Sequence, residues 1–177
     1  MLDVKIRRPL ATDIPQLNEF LKIVITDTFN KEGIGDMVDD LQDEIKTKKL
    51  YLQSDLESKG KKRYFLIALY DEQIIGTIEY GPASELIKKL TKNAYGNLVE
   101  VGTALVHPEF QGKGVGNKLL QAIITRLKSE GIQEFCLDCG YNRAQKIWKK
   151  KFGQPDYHFK DYWGKGQDHM IWRVKIN

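Results

Sequence analysis

Between Leu98 and Leu127 three patterns follow one another without a break. "LVEVGTALV" is apolar and β-branched like a strand, and "HPEFQGKGVG" is a turn with glycines at 112, 114 and 116. Leu119, Leu120, Ile123, Ile124 and Leu127 then fall at helical spacing. A strand that feeds a helix through so much bare backbone leaves the helix N-terminus open, with unpaired N–H groups and the positive end of a dipole. Such a place suits an anion. Gly131 predicts where the helix stops.

The rest of the chain follows the same logic. Val4 and Ile6 alternate with charge up to Pro9, a short strand. Thr12 or Asp13 is placed to cap a helix bearing Ile14, Leu17, Leu21 and Val24, and Met37, Leu41, Ile45 and Leu52 line one face of a second helix. "RYFLIALY", "DEQ" and "IIGTIEY" read as a hairpin, and the polar connection 81–97 has room for a helical turn around Leu86. After the glycine turn and its helix come the strand "EFCLDC", a helix from Arg143 to Phe152 stopped by Gly153 and Pro155, and a closing pair, "YHFKDYW" and "HMIWRVKI". This order predicts an α/β (α+β) fold, a mixed and mostly antiparallel sheet with helices on both faces. No repeat or long linker interrupts it, so a single domain over residues 1–177 is expected.

Composition narrows the setting. No stretch approaches the ~18 apolar residues of a membrane span. "MLDVKIRRPL" lacks the apolar core of a signal peptide, so a cytoplasmic protein without membrane association is expected. Cys136 and Cys139 are the only cysteines, as in a reducing compartment. Their C-x-x-C spacing suggests redox or zinc chemistry, but strand alternation turns the two side chains to opposite faces. Two further ligands for a metal are not in view, so no metal is expected and the thiols read as ordinary, half-buried ones.

The glycine turn admits several readings. A dinucleotide site would use G-x-G after a strand, with Asp138 as the acid on a ribose. The third glycine comes one residue early for that motif, however, and too little chain follows for a doubly wound fold. A phosphate-binding Walker loop needs Gly-Lys followed by Ser or Thr, whereas Lys113 precedes Gly114 and Lys118 precedes Leu119. A turn with no ligand would need fewer glycines.

Gln111-Gly112-Lys113-Gly114-Val115-Gly116 fits Q/R-x-x-G-x-G/A, and "ALVHPEFQGKGVGNKLL" resembles the signature strand, loop and helix of the GNAT superfamily of acetyl-CoA-dependent N-acetyltransferases. The element order resembles that fold along nearly the whole chain. The resemblance implies that backbone amides from Gly112 to Gly116, with Gln111 and Asn117 flanking them, hold the pyrophosphate of acetyl-CoA as cosubstrate. It implies that Ala104, Leu105 and Val106 pair with the pantetheine arm like an added strand, where the signature strand and the next one splay apart. Asn142 matches an asparagine that contacts the coenzyme, and Lys113, Lys118 and the run from Lys149 to Lys151 are candidates for its phosphates.

Acetyl transfer needs a base for the amine, a donor for the oxyanion and a path for the departing thiolate. The resemblance makes Glu100, eleven residues before Gln111, the candidate general base, with Glu79 in reserve. The family's usual tyrosine acid is missing, because its position reads Lys149 or Trp148. Tyr141, Tyr157 and Tyr162 are candidate substitutes, and a thiolate that leaves unaided is the other option.

The acceptor is expected to be a small-molecule or peptide amine. Asp36, Asp39, Asp40, Asp43 and Glu44 would favour a cationic one, although acids at a helix start are also an ordinary solvated face. A homodimer is left open. Two readings of other classes remain: a catalytically silent acyl-CoA-binding or regulatory domain on the same fold, and a nucleic-acid module using the lysines with Trp148, Tyr162, Trp163 and Trp172. The alternation of those aromatics argues for burial rather than stacking on bases, so no nucleic acid is expected.

Overall fold

The computed structural model describes residues 2–177. In chain order the elements are β1 (Lys5–Arg7), α1 (Ile14–Lys31), α2 (Val38–Ser58), β2 (Tyr64–Tyr70), β3 (Gln73–Pro82), α3 (Glu85–Leu90) and β4 (Val99–Val106). There follow α4 (Val115–Ser129), β5 (Glu134–Cys139), α5 (Asn142–Phe152), β6 (Tyr157–Phe159) and β7 (His169–Lys175). The chain divides into two compact units, Met1–Tyr80 with Thr103–Arg126, and Gly81–Gly102 with Leu127–Asn177.

In the first unit β1, β2 and β3 are antiparallel, in a register that sets Ile6 against Ala68 and Ile67 against Thr77. The β2–β3 turn is Asp71-Glu72, both at positive φ, which matches the right-handed twist of the strands it joins. Every residue of β2 from Phe65 to Leu69 is buried, because the strand has core on both faces. Leu17, Phe20, Leu21, Val24 and Phe29 of α1 and Leu41, Ile45 and Leu52 of α2 supply part of that core. Two expectations fail here: Ile14 and Met37 are exposed. Neither Thr12 nor Asp13 caps α1 through its side chain. Asp13 instead accepts two hydrogen bonds from the Arg7 guanidinium, at 2.7 and 3.0 Å, and one from the Leu10 amide at 2.7 Å.

Gly76 of β3 lets α4 come close. A Cβ there would stand 2.8 Å from Leu119 Cδ1, 3.1 Å from Val115 Cγ1 and 3.2 Å from the Leu105 carbonyl oxygen. Even one methyl group would push the start of α4 off the strand.

In the second unit β4 and β5 run parallel, with Val99 opposite Phe135 and Glu100 opposite Cys136. β5 pairs antiparallel with β7 from Glu134–Lys175 to Cys139–Met170, and β7 with β6. Cys136 and Ile171 pack with Ala83, Ile87 and Tyr95. The two cysteines form no disulfide, and both are buried rather than half-buried. Strand β6 is shorter than "YHFKDYW" suggests, because the chain turns at once into a loop tied to itself. Asp168 Oδ1 accepts from the Asp161 amide at 2.9 Å, and Asp161 Oδ1 accepts from the Gly166 amide at 2.7 Å.

Candidate active site

Strand β4 contains a residue its own preferences would not put there. Thr103 has φ of 47°, a left-handed conformation that a β-branched side chain avoids. Such a residue costs on the order of 1–3 kcal/mol and persists only where its surroundings hold it. Here they do. The Thr103 carbonyl accepts from the Thr77 hydroxyl at 2.8 Å, and its own hydroxyl donates to Glu79 Oε1 at 3.2 Å. Glu79 Oε2 accepts from Arg63 Nη1 at 2.8 Å, and the Arg63 guanidinium lies 3.7 Å from the centroid of the Tyr51 ring in α2. Thr77, Glu79, Thr103 and Arg63 are all buried. Glu79, the reserve base, therefore has both carboxylate oxygens engaged.

Beyond Thr103, Ala104 is exposed and Leu105 and Val106 are half-buried. The His107 amide still bonds the Ile75 carbonyl at 2.9 Å. The exposed Gln111 side chain folds back, its Nε2 donating to the Val106 carbonyl at 3.0 Å while its Oε1 accepts from Lys31 at 3.4 Å. Gly112 and Gly114 have φ of 74° and 84°, and no atom lies within 4 Å of where their Cβ atoms would stand. The turn needs glycine there for conformation and leaves open space above the backbone. Gly116 differs: it is helical, and a Cβ would meet Val106 Cγ2 at an ordinary 3.8 Å. Val115 is buried and anchors the first turn of α4, where the Lys118 amide bonds the Gly114 carbonyl at 3.1 Å. The amides ahead of it point out of the helix end. Asn117 is exposed on the same turn.

The candidate phosphate lysines are placed differently. The Lys113 ammonium lies 5.2 Å from the Phe110 ring centroid, and Lys118 donates to the Leu2 carbonyl at 3.1 Å. Lys149, Lys150 and Lys151 occupy the last turn of α5, where positive charge suits the carbonyl end of the helix dipole.

In the second unit, Glu100 is buried at 6% exposure opposite Cys136. Asn142 opens α5, and its side-chain amide donates to the Gly166 carbonyl at 3.3 Å. Gln145 fixes that helix start by donating to the carbonyls of Cys139 and Asp168, at 2.9 and 2.8 Å. Trp148 stacks on Phe152. Asp138, weighed above as a ribose ligand, pairs with the buried His169 at 3.0 Å. Among the described residues no cluster of three or more His, Cys, Asp or Glu is arranged to hold a metal ion, and no helix is long and apolar enough to cross a membrane.

The family model described as "Acetyltransferase (GNAT) family" matches residues 27–154, well over half of the chain. The chain belongs to the GNAT acetyltransferase family. The protein is thus an acyltransferase, and acetyl transfer is its general chemistry. A sequence search of curated proteins finds no match. Solved structures are similar across nearly the whole chain. A GNAT-family protein from Desulfovibrio desulfuricans is 16% identical, with a TM-score of 0.73 and coverage of 98% of this chain and 99% of that one. The PaiA N-acetyltransferase of Thermoplasma acidophilum, solved with coenzyme A, is 20% identical, with a TM-score of 0.70 and the same coverage. A Salmonella typhimurium protein solved with its cofactor acetyl-CoA is 17% identical, with a TM-score of 0.68 and coverage of 99% and 95%. At these identities the likeness is one of fold.

In this GNAT chain, the residues that sequence reading missed are Tyr51, Arg63, Thr77 and Thr103. A faint signal was present. Thr77 and Glu79 alternate on one face of the otherwise apolar "IIGTIEY", and two polar side chains pointing into a core require partners.

Proposed function

We propose that this GNAT protein moves an acetyl group from acetyl-CoA to a primary amine by direct attack in a ternary complex. The observation that carries the reading is the turn from Gly112 to Gly116, whose left-handed glycines leave open space at the mouth of a 15-residue helix. A diphosphate fits such a place, since the backbone offers N–H groups, the helix end offers positive potential and no side chain intrudes. Gly112 to Gly116 would hold the diphosphate, with Gln111 bracing the turn against Val106. Ala104, Leu105 and Val106 would pair with the pantetheine arm. The two coenzyme-bound neighbours support this choice of cosubstrate.

Bound acetyl-CoA supplies the electrophilic thioester. Glu100 is the general base of the reading and receives the amine's proton through water. The nitrogen then forms its bond to the acetyl carbon, the carbon–sulfur bond breaks, and its electron pair leaves with the thiolate. Glu79 is the weaker candidate, because Arg63 and Thr103 already bond its oxygens. No side chain of α5 acts as general acid in this scheme.

The acceptor is read as a primary amine, with polyamines, aminoglycosides, amino acids, peptide N-termini and protein lysines forming the panel to assay. Gly114→Val tests the carrying observation. The variant is strained at positive φ, so it should unfold at a somewhat lower temperature while still folding, and it should lose most of its affinity for acetyl-CoA. Wild-type affinity in a folded Gly114→Val protein defeats the assignment. Coenzyme binding without amine-dependent thiol release anywhere in the panel would instead favour a silent acyl-CoA-binding domain.

A further inference from the structure

We propose that Thr77, Glu79 and Arg63 form a positioning device that pins Thr103 in its left-handed conformation and so sets the backbone of Ala104–Val106. The inference rests on the reading that this segment receives the acyl donor. Arg63, Thr77 and Thr103 are assigned no contact with the reacting atoms, and Glu79, the reserve base, has both carboxylate oxygens engaged here; all four act through the strand.

The geometry shows how the pin works. Both polar groups that Thr103 presents to β3 are taken by β3 side chains: the carbonyl by Thr77 and the hydroxyl by Glu79. Thr77 and Glu79 are two residues apart and therefore share a face of β3. A carboxylate at 1% exposure needs a partner, and Arg63 supplies it while resting on the ring of Tyr51. A line of contacts thus runs from α2 through Arg63 and Glu79 to the one β-branched residue of β4 with positive φ. Relaxing Thr103 to an extended conformation would break two buried hydrogen bonds at once. It would also turn the following peptide groups, and with them the N–H and C=O groups that Ala104–Val106 offer.

A buried polar cluster can also serve stability alone, and substitutions at Thr103 separate the two roles. Thr103→Gly removes the hydroxyl but adopts positive φ without strain. Thr103→Val removes the hydroxyl, keeps the volume and resists that conformation. If the cluster positions the strand, Thr103→Gly holds the KM for acetyl-CoA within about twofold, while Thr103→Val raises it by about 10²-fold, as a misplaced binding segment does. A purely structural role predicts the reverse order, since glycine loses more buried atoms.

Glu79→Ala should behave like Thr103→Val, and the double variant Glu79→Ala/Thr103→Gly should recover most of the lost affinity. Thr77→Val, which leaves the ion pair intact, takes the place of Glu79→Ala if the latter does not fold. A KM as poor for Thr103→Gly as for Thr103→Val, or no recovery in the double variant, overturns the proposal. The Cα and Cβ chemical shifts of residue 103 in the coenzyme-free protein provide a separate arm. They should report left-handed backbone in the wild type and extended backbone in Glu79→Ala. Unchanged shifts in the variant refute the pin whether or not acetyl-CoA binds, and a wild type that fails to bind acetyl-CoA refutes only the functional reading.

Discussion

Glu100 stands directly opposite Cys136 in the parallel ladder of β4 and β5, and both side chains are buried. The thiol registers its surroundings. Burial first, then the negative charges of Glu100 and Asp138, pushes the Cys136 thiol up to about 12. At that value almost no thiolate exists near neutral pH, and the thiolate is the reactive form. Cys136 should therefore be inert to thiol reagents in the native protein at about pH 8, and react promptly in denaturant. Labelling of native Cys136 would show that the ladder opens, and that Glu100 is less enclosed than its register implies.

Glu100 is the proposed general base. Glu100→Gln keeps the size and the hydrogen-bonding capacity but cannot accept a proton. Turnover at neutral pH should fall by roughly 10²–10⁴-fold with acetyl-CoA affinity retained. A fall below about twofold would shift the base to Glu79 or to bulk water acting on an already neutral amine.

Much of this site was legible in the sequence, and the parts that were not share a physical cause. "EFCLDC" is β5 end to end, because its alternation and flanking polar residues leave little choice. Gly131 and Gly153 stop α4 and α5 at positive φ as their positions suggest. Thr103 was illegible, since a β-branched residue in a β-branched run predicts extended backbone. Only the side chains of Thr77 and Glu79, far away in sequence, override that preference. Asp13 misled for a similar reason. Its capping potential is real, but Arg7 and the Leu10 amide claim the carboxylate first.

Asp13 also carries a pH signature. The hydrogen bonds from the Arg7 guanidinium hold its carboxyl below the usual range, against the opposing effect of burial and with help from the Leu10 amide. A depressed carboxyl contributes stability above its unfolded pKa and loses it as pH falls through the folded value. Asp13→Asn should therefore cost about 1 kcal/mol at neutral pH, the upper end for a partly exposed pair. The gap between wild type and variant should close as pH drops below about 3.9. Denaturant titrations at several pH values measure it, and a gap that does not change with pH would remove the ion pair from the account.

The missing acid is tested by three hydroxyl deletions. Tyr157 packs edge-on against Tyr95 at 5.3 Å and stacks with Phe159, and Tyr162 packs edge-on against Trp163 at 4.8 Å. These contacts use the rings, so Tyr157→Phe and Tyr162→Phe should each turn over near the wild-type rate, and the same outcome is expected of Tyr141→Phe. Loss of about 10²-fold in one of them, with fold and acetyl-CoA affinity intact, would identify a relocated phenol.

Nitrogen is the proposed acetyl acceptor of this GNAT protein. The direct measurement is the stoichiometry of thiol released from acetyl-CoA against acetylated acceptor, using mass spectrometry and alkaline hydroxylamine to tell the bond formed. Amine-dependent thiol release is expected, with one acetyl group gained per thiol and a product that survives hydroxylamine as an amide does. An acceptor whose acetyl group hydroxylamine removes, or thiol release that does not depend on any amine, would contradict it.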